Sequence, residues 1–225
     1  MILTAHQPAY LPWLGYFSKI KQADVFIFLD SVQFEKNSFI NRNKIQTHQG
    51  PIWLSIPVIT KDYKNKSIAE LEIDPRQKWA SKHLKSIAQN YKKAPHFDRL
   101  FPQVEALYQE EHPLLGDLCL AHLKFWLKEL QIDTQLVRSS TLDIESKKSD
   151  LVLDLCRHFE ADHYISGALG KDYLEEENFA EHKIGITYQD YSHPEYPQLH
   201  GEFQPYLSVL DFLMSTDQVD LIDPK

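Results

Sequence analysis

Met1 to Ala5 form a short apolar run that stops at the polar step His6-Gln7-Pro8. A buried strand ending on polar side chains is how an α/β protein presents groups at the carboxyl edge of its sheet. LPWLGYFSKIKQA follows, with Leu11, Leu14, Phe17 and Ile20 at three-residue spacing and Lys19 and Lys21 near its end. This spacing predicts a helix with Pro12 in its first turn, where a missing N–H costs little. Asp24 then opens DVFIFLD, whose run from Val25 to Leu29 is too continuous for a half-exposed strand. It predicts a strand covered on both faces, so the chain opens with a βαβ unit.

Later segments repeat the alternation. SVQFEKNSFINRNKIQTHQG is polar with isolated apolar anchors at Phe34, Phe39 and Ile40, and reads as a functional loop. PIWLSIPVI predicts a strand that Pro57 confines to an edge or a bulge. Helical periodicity runs from Asp74-Pro75 to Ala94 and from Phe101 to Leu130, with a break near His112-Pro113. TQLVR predicts a strand, DLVLDLCRHF a helix entered from Ser149-Asp150, HYISG a strand, ALGKDYLEEENF a loop, ITYQDY a last strand and VLDFLMS a short closing helix. The expected architecture is α/β, a layered parallel-type sheet flanked by helices, with residues 75–130 inserted as a helical cap in one domain spanning 1–225.

Composition narrows the function classes. Apolar residues make up 43% and charged residues 25%, which is ordinary globular usage, and no window approaches a membrane span. The net charge of −8 denies the chain the diffuse basic field that binds DNA or RNA without specificity. MILTAHQPAYLPW lacks a basic n-region and a long apolar run, which predicts no signal peptide and a cytoplasmic protein. Cys119 and Cys156 lie in apolar helical surroundings and read as reduced core thiols. No zinc-protease spacing surrounds His193 or His200, so no metal site is expected.

Candidate chemistry gathers at four places. His6, at a strand end beside Gln7 and Tyr10, suits a general acid or base or a phosphate donor. Asp30, at the end of the second strand, suits a metal, a ribose hydroxyl or an ion pair with Arg42. Lys36, Asn37, Asn41 and Arg42 concentrate positive charge and amide donors for a phosphate or carboxylate. Ser166, Gly167, Lys171, Asp172 and Tyr173 form a glycine-bearing loop after a strand, an anion cradle without P-loop spacing. His6, Lys171 and Asp30 are the candidate catalytic groups, and the others are candidate substrate contacts.

HQPAYLPWLGYFSKIKQADVFIFLDSVQFEKNSFINRNKI, with ISGALGKDYL and YPQLHGEFQPYLSVLDFL downstream, resembles the WbqC-like protein family over nearly the whole chain. The resemblance implies bacterial surface-polysaccharide (O-antigen, lipopolysaccharide) biosynthesis. It also implies a transferase or ligase attaching an acyl or amino-acyl group, such as glycine, to a sugar or sugar nucleotide. The opening is also similar in layout to nucleotidylyltransferase-like (HUP-type) folds, which makes ATP with Mg²⁺ a candidate cofactor. Those enzymes place a second histidine near the first helix, where AYLPWLGY has none. The expected partner is a small molecule: a sugar, a sugar nucleotide, an amino acid or another carboxylate. The alternative is a non-catalytic module that recognises a nucleotide, a glycan precursor or a partner enzyme.

Overall fold

The computed structural model describes residues 1–223. Five parallel strands form the central sheet: β1 (Ile2–His6), β2 (Val25–Phe28), β5 (Gln135–Arg138), β6 (His163–Ser166) and β7 (Gly185–Tyr188). Their spatial order is β5-β2-β1-β6-β7. Between β2 and β5 the chain makes an antiparallel hairpin, β3 (Arg42–Ile45) and β4 (Ile52–Ser55), then helices α2 (Trp79–Tyr91), α3 (Phe97–Gln109) and α4 (Leu115–Glu129). Helix α1 (Leu14–Lys21) joins β1 to β2, α5 (Lys148–His158) joins β5 to β6, and α6 (Glu176–Glu181) joins β6 to β7. Helix α7 (Val209–Ser215) follows the last strand.

Alternation along the strands divides the core. On one face Phe26 and Phe28 pack with Leu14, Phe17 and Ile20 of α1 and with Leu118, Leu123 and Trp126 of α4. On the other face Leu3, Ala5, Val25 and Ile27 pack with Leu151, Leu155 and Cys156 of α5 and with Phe179 of α6. The α/β layering therefore follows from a period of two in strands buried on both faces. Helices α2 to α4 join the first of these cores rather than standing clear of the sheet. Among the described residues no helix is long and apolar enough to cross a membrane.

Three local readings change. NRNKI, read as loop, is strand β3: Asn43 and Ile45 point inward while Arg42 and Lys44 stay half-buried. A polar strand in a two-stranded hairpin has no continuous apolar run to reveal it. β4 pairs only with β3, outside the main sheet, and it ends before Pro57, whose missing N–H suits that end. The acidic stretch EENFAE, read as loop, is the short helix α6, pinned by buried Phe179.

Strand order decides where the sheet opens. From β1 the chain moves outward through β2 to β5, then crosses back beneath α5 to place β6 on the other side of β1. The connections leaving β1 and β6 run to opposite sides of β1–β6, so the carboxyl ends of these two strands form the topological switch point of the sheet, the place where open α/β sheets form a crevice.

Candidate functional site

His6 closes β1 at this crevice. Its Nδ1 donates a hydrogen bond to the Gln7 carbonyl at 3.0 Å, because a carbonyl can only accept. Trp13 and Tyr16 pack edge-on against the ring, with centroids 5.5 and 4.7 Å away. Loss of water and then the charge of Lys19 push the His6 pKa down to about 3, against the smaller raising effect of the Gln7 hydrogen bond. The imidazole is therefore neutral at pH 7, its Nδ1 committed and its Nε2 lone pair turned away from that bond. Tyr16 donates to the same Gln7 carbonyl at 3.2 Å, so Gln7 acts through its backbone as the anchor of both rings.

Lys19 was legible only as a basic residue near a helix end, yet it lies at the bottom of the crevice and is 2% exposed. Its Nζ donates to the Ala5 carbonyl of β1 at 2.9 Å. Burial pushes its pKa down to about 7. Helix α1 is buried from Leu14 to Ile20, so even a lysine in its last turn is held away from bulk water. The burial of a whole helix is a tertiary property, and no local pattern announces it.

Ser166 ends β6 opposite His6, is buried, and donates to the Gly167 carbonyl at 3.0 Å. Residues Ala168–Asp172 form a 3₁₀ turn. Gly170 is needed there for space, since a Cβ on it would lie 1.9 Å from Ser166 Oγ. Lys171 is exposed and leans over the Tyr188 ring of β7 at 5.4 Å, while Asp172 and Tyr173 lie on the outer side of the same turn. The segment after β7 closes the other wall: Gln189 donates to the Gly15 carbonyl at 2.9 Å. Tyr191 packs so close to Gly15 that a Cβ there would lie 2.7 Å from its ring.

The structure places Asp30, Tyr10 and the hairpin group Lys36, Asn37, Asn41 and Arg42 away from this crevice. Asp30 is fully buried and its carboxylate is occupied. It accepts from Arg138 Nε at 2.7 Å, from the Ser140 N–H and hydroxyl at 3.0 Å each, and from the Ser139 hydroxyl at 3.3 Å. Its ion-pair partner is thus Arg138, which also binds Asp117 of α4 at 2.6 Å, and not Arg42. The Tyr10 hydroxyl faces the helical layer, bonded to His83 Nδ1 at 2.9 Å and to the Tyr108 hydroxyl.

Lys36, Asn37, Asn41 and Arg42 line a separate recess of about 310 Å³ on the hairpin, with Ser55 and Thr60 on its far wall. Arg42 stacks over Trp53 at 4.4 Å and donates to the Asn37 carbonyl at 2.5 Å, while its buried Nε has no partner. Lys44 lies 4.9 Å over the same ring, and Lys36 lies 4.5 Å over Tyr63. A row of aromatic rings links recess and crevice: His6 to Trp13, Trp13 to Phe39 at 5.5 Å, and Phe39 to Trp53 at 5.8 Å. Phe39 and Trp53 are both exposed. A larger hollow of about 510 Å³, near Lys124 and Thr134, lies where β5 begins, and none of the candidate groups line it. Among the described residues no group of three or more His, Cys, Asp or Glu side chains could hold a metal ion.

A five-stranded parallel sheet flanked by helices, with a histidine, a buried lysine and a glycine-bearing turn at its switch point, defines an α/β protein. The chain belongs to the WbqC-like protein family, whose model matches residues 7–221. It is 35% identical over 211 residues to the uncharacterized protein Rv1507c of Mycobacterium tuberculosis (strain ATCC 25618 / H37Rv), covering 93% of this chain and 91% of that protein. No solved structure matches.

Proposed function

We propose that the protein is a transferase or ligase of bacterial surface-polysaccharide biosynthesis that forms an amide or ester on a sugar or sugar nucleotide. The observation that carries this reading is His6: a neutral imidazole at the switch-point crevice, held by its Nδ1 proton, with Nε2 left to accept. In the transfer step the acceptor's amine or hydroxyl attacks the acyl carbon of an activated donor. The new N–C or O–C bond forms as the acyl–oxygen bond breaks. The acceptor's proton passes to His6 Nε2, and the leaving oxygen departs with the electron pair.

An anion in the crevice offsets the Lys19 charge that helps hold His6 neutral, and so raises its proton affinity while donor is bound. The aromatic row from Trp13 to Trp53 suits the flat face of a sugar or base, and the Arg42 recess suits an anionic group at the far end of the same substrate. Asp30 enters as a positioning residue, since it fixes Arg138 and the turn after β5. Lys171 and the residues beside it stand at the mouth, where an exposed turn can cover a bound donor. ATP with Mg²⁺ is the candidate source of activation.

The test is incubation of the purified protein with an amino acid, a sugar nucleotide and ATP–Mg²⁺, followed by mass spectrometry for an acyl adduct. His6→Gln is expected to lower turnover by about 100-fold or more while substrate still binds. Binding of the sugar nucleotide without an adduct under any donor would favour the recognition module instead.

A further inference from the structure

Two features at the ends of β1 and β6 face each other. The first is the Lys19 amine. It is buried and, among the described residues, its one hydrogen-bond partner is the Ala5 carbonyl, with no carboxylate beside it. An ammonium has three donors and is costly to bury without a counter-charge.

The second is Gly167. Its backbone, φ −67° and ψ 163°, is open to any residue, so nothing conformational calls for glycine. Nor does packing: a Cβ there would meet only one atom within 4 Å, the Lys19 Nζ at 3.9 Å. Gly170, three residues on, is the contrast, because its missing side chain makes room for Ser166. Apart from its own chain neighbours, the lysine amine is the one protein atom within 4 Å of where a Gly167 side chain would begin.

We infer that this place is a phosphoryl-binding site, in which the Lys19 amine meets the phosphoryl group as an ammonium and the bare Cα of Gly167 admits the phosphoryl oxygens. The inference rests on the crevice being the working site, but not on the acyl-transfer chemistry. A compact ammonium reads charge rather than planar shape, which suits a tetrahedral oxyanion, whereas a planar carboxylate is matched by a guanidinium fork such as that of Arg42. The division assigns the two cationic places to two ends of the substrate: phosphoryl at Lys19, and the other anion at the hairpin recess.

Calorimetric titration of the full chain with inorganic pyrophosphate tests the assignment apart from any turnover. The wild-type protein is expected to bind saturably. Lys19→Met and Gly167→Ala are each expected to weaken binding at least 10-fold, with thermal midpoints within a few degrees of wild type. Should Lys19→Met fold poorly, Gly167→Ala still decides the matter, since its methyl group disturbs no contact of the chain. A parallel titration with glycine and acetate separates the ligand classes.

Pyrophosphate binding that survives both substitutions would overturn the assignment, as would no binding by folded wild type. Binding lost in Lys171→Met but kept in Lys19→Met would move the phosphoryl group to the exposed turn. Carboxylates binding in place of pyrophosphate would also overturn it. Loss of the acyl adduct with pyrophosphate binding intact would instead count against the transferase reading alone.

Discussion

A lysine in the last turn of an exposed helix complements the helix dipole at little cost. Lys19 has that position in sequence and a different environment in space, and the difference has a measurable consequence. The unfolded chain holds its proton up to about pH 10.5, whereas burial lowers the folded value to about 7. Between these values the unfolded state binds more protons, so Lys19 makes stability climb as pH rises through this window. Urea midpoints at pH 7 and 9.5 are expected to show a climb of about 2–3 kcal/mol that Lys19→Met removes, at roughly 1.4 kcal/mol per pKa unit. An equal climb in wild type and variant would mean that the amine reaches water. His122 tells a related story, because it is 1% exposed and neither of its ring nitrogens has a partner. Leaving buried polar atoms unpaired costs about 1–3 kcal/mol, so His122→Leu is expected to raise stability by about 1–2 kcal/mol in chemical denaturation. A loss of stability would show that the imidazole is satisfied by an ordered water.

At the scale of elements, the turn after β6 and the β3–β4 hairpin carry the predictions. Gly170→Ala drives a methyl group into Ser166 Oγ and is expected to loosen the turn and lower the thermal midpoint by several degrees. The neighbouring Gly167→Ala is expected to leave the midpoint unchanged, so the pair separates a glycine that the fold needs from one that the ligand needs. In the hairpin, Trp53 is 42% exposed yet carries two cations over its ring. Exposed cation–π contacts are worth about 0.5–1 kcal/mol, so Trp53→Ala should cost little stability. Its expected effect is a 5- to 10-fold loss of affinity for an anionic sugar nucleotide, read by calorimetry, because Arg42 loses the surface that orients it. The clamp between β2, β5 and α4 behaves in the opposite way. Asp30→Ala leaves Arg138 with Asp117 alone and takes the acceptor from the Ser140 N–H and the Ser139 and Ser140 hydroxyls, and is expected to cost about 1–3 kcal/mol.

At the scale of the molecule, three buried histidines set the response to acid. His6 and His122 are lowered to about 3 and His83 to about 4, in each case first by desolvation. Each is neutral in the folded protein and protonates near pH 6.5 when unfolded, so its contribution is present above pH 6.5 and is lost as pH falls toward the folded value. Thermal midpoints are expected to decline steadily from pH 6.5 to pH 4, and His122→Leu should make the decline shallower. A midpoint flat over that range would contradict the burial of these rings.

Local patterning determined a large share of this architecture. The apolar run of β2, the three-residue spacing of α1 and the alternation of strand and helix each depend on neighbours in sequence, and each gave the right element, although α1 begins at Leu14 and leaves Leu11 and Pro12 outside its first turn. His6 and the glycine-bearing turn were also legible, because a polar step after a buried strand marks the carboxyl edge of a sheet. Strand order was decided by the tertiary structure, and with it which strand ends face each other. Lys19 was marked only as a residue near a helix end, Asp30 looked available, and Arg42 looked like a member of a loop, since residue type and spacing carry no information about what packs on top. Burial decides whether a lysine is a solvated charge or an unpaired one, and burial depends on contacts between segments far apart in the chain. The sequence by itself thus determined the elements and the sheet edge that carries His6 and the glycine-bearing turn. Only the packing of α1 against the end of β1 brought a buried amine to that edge, because there Lys19 loses water and meets a single carbonyl.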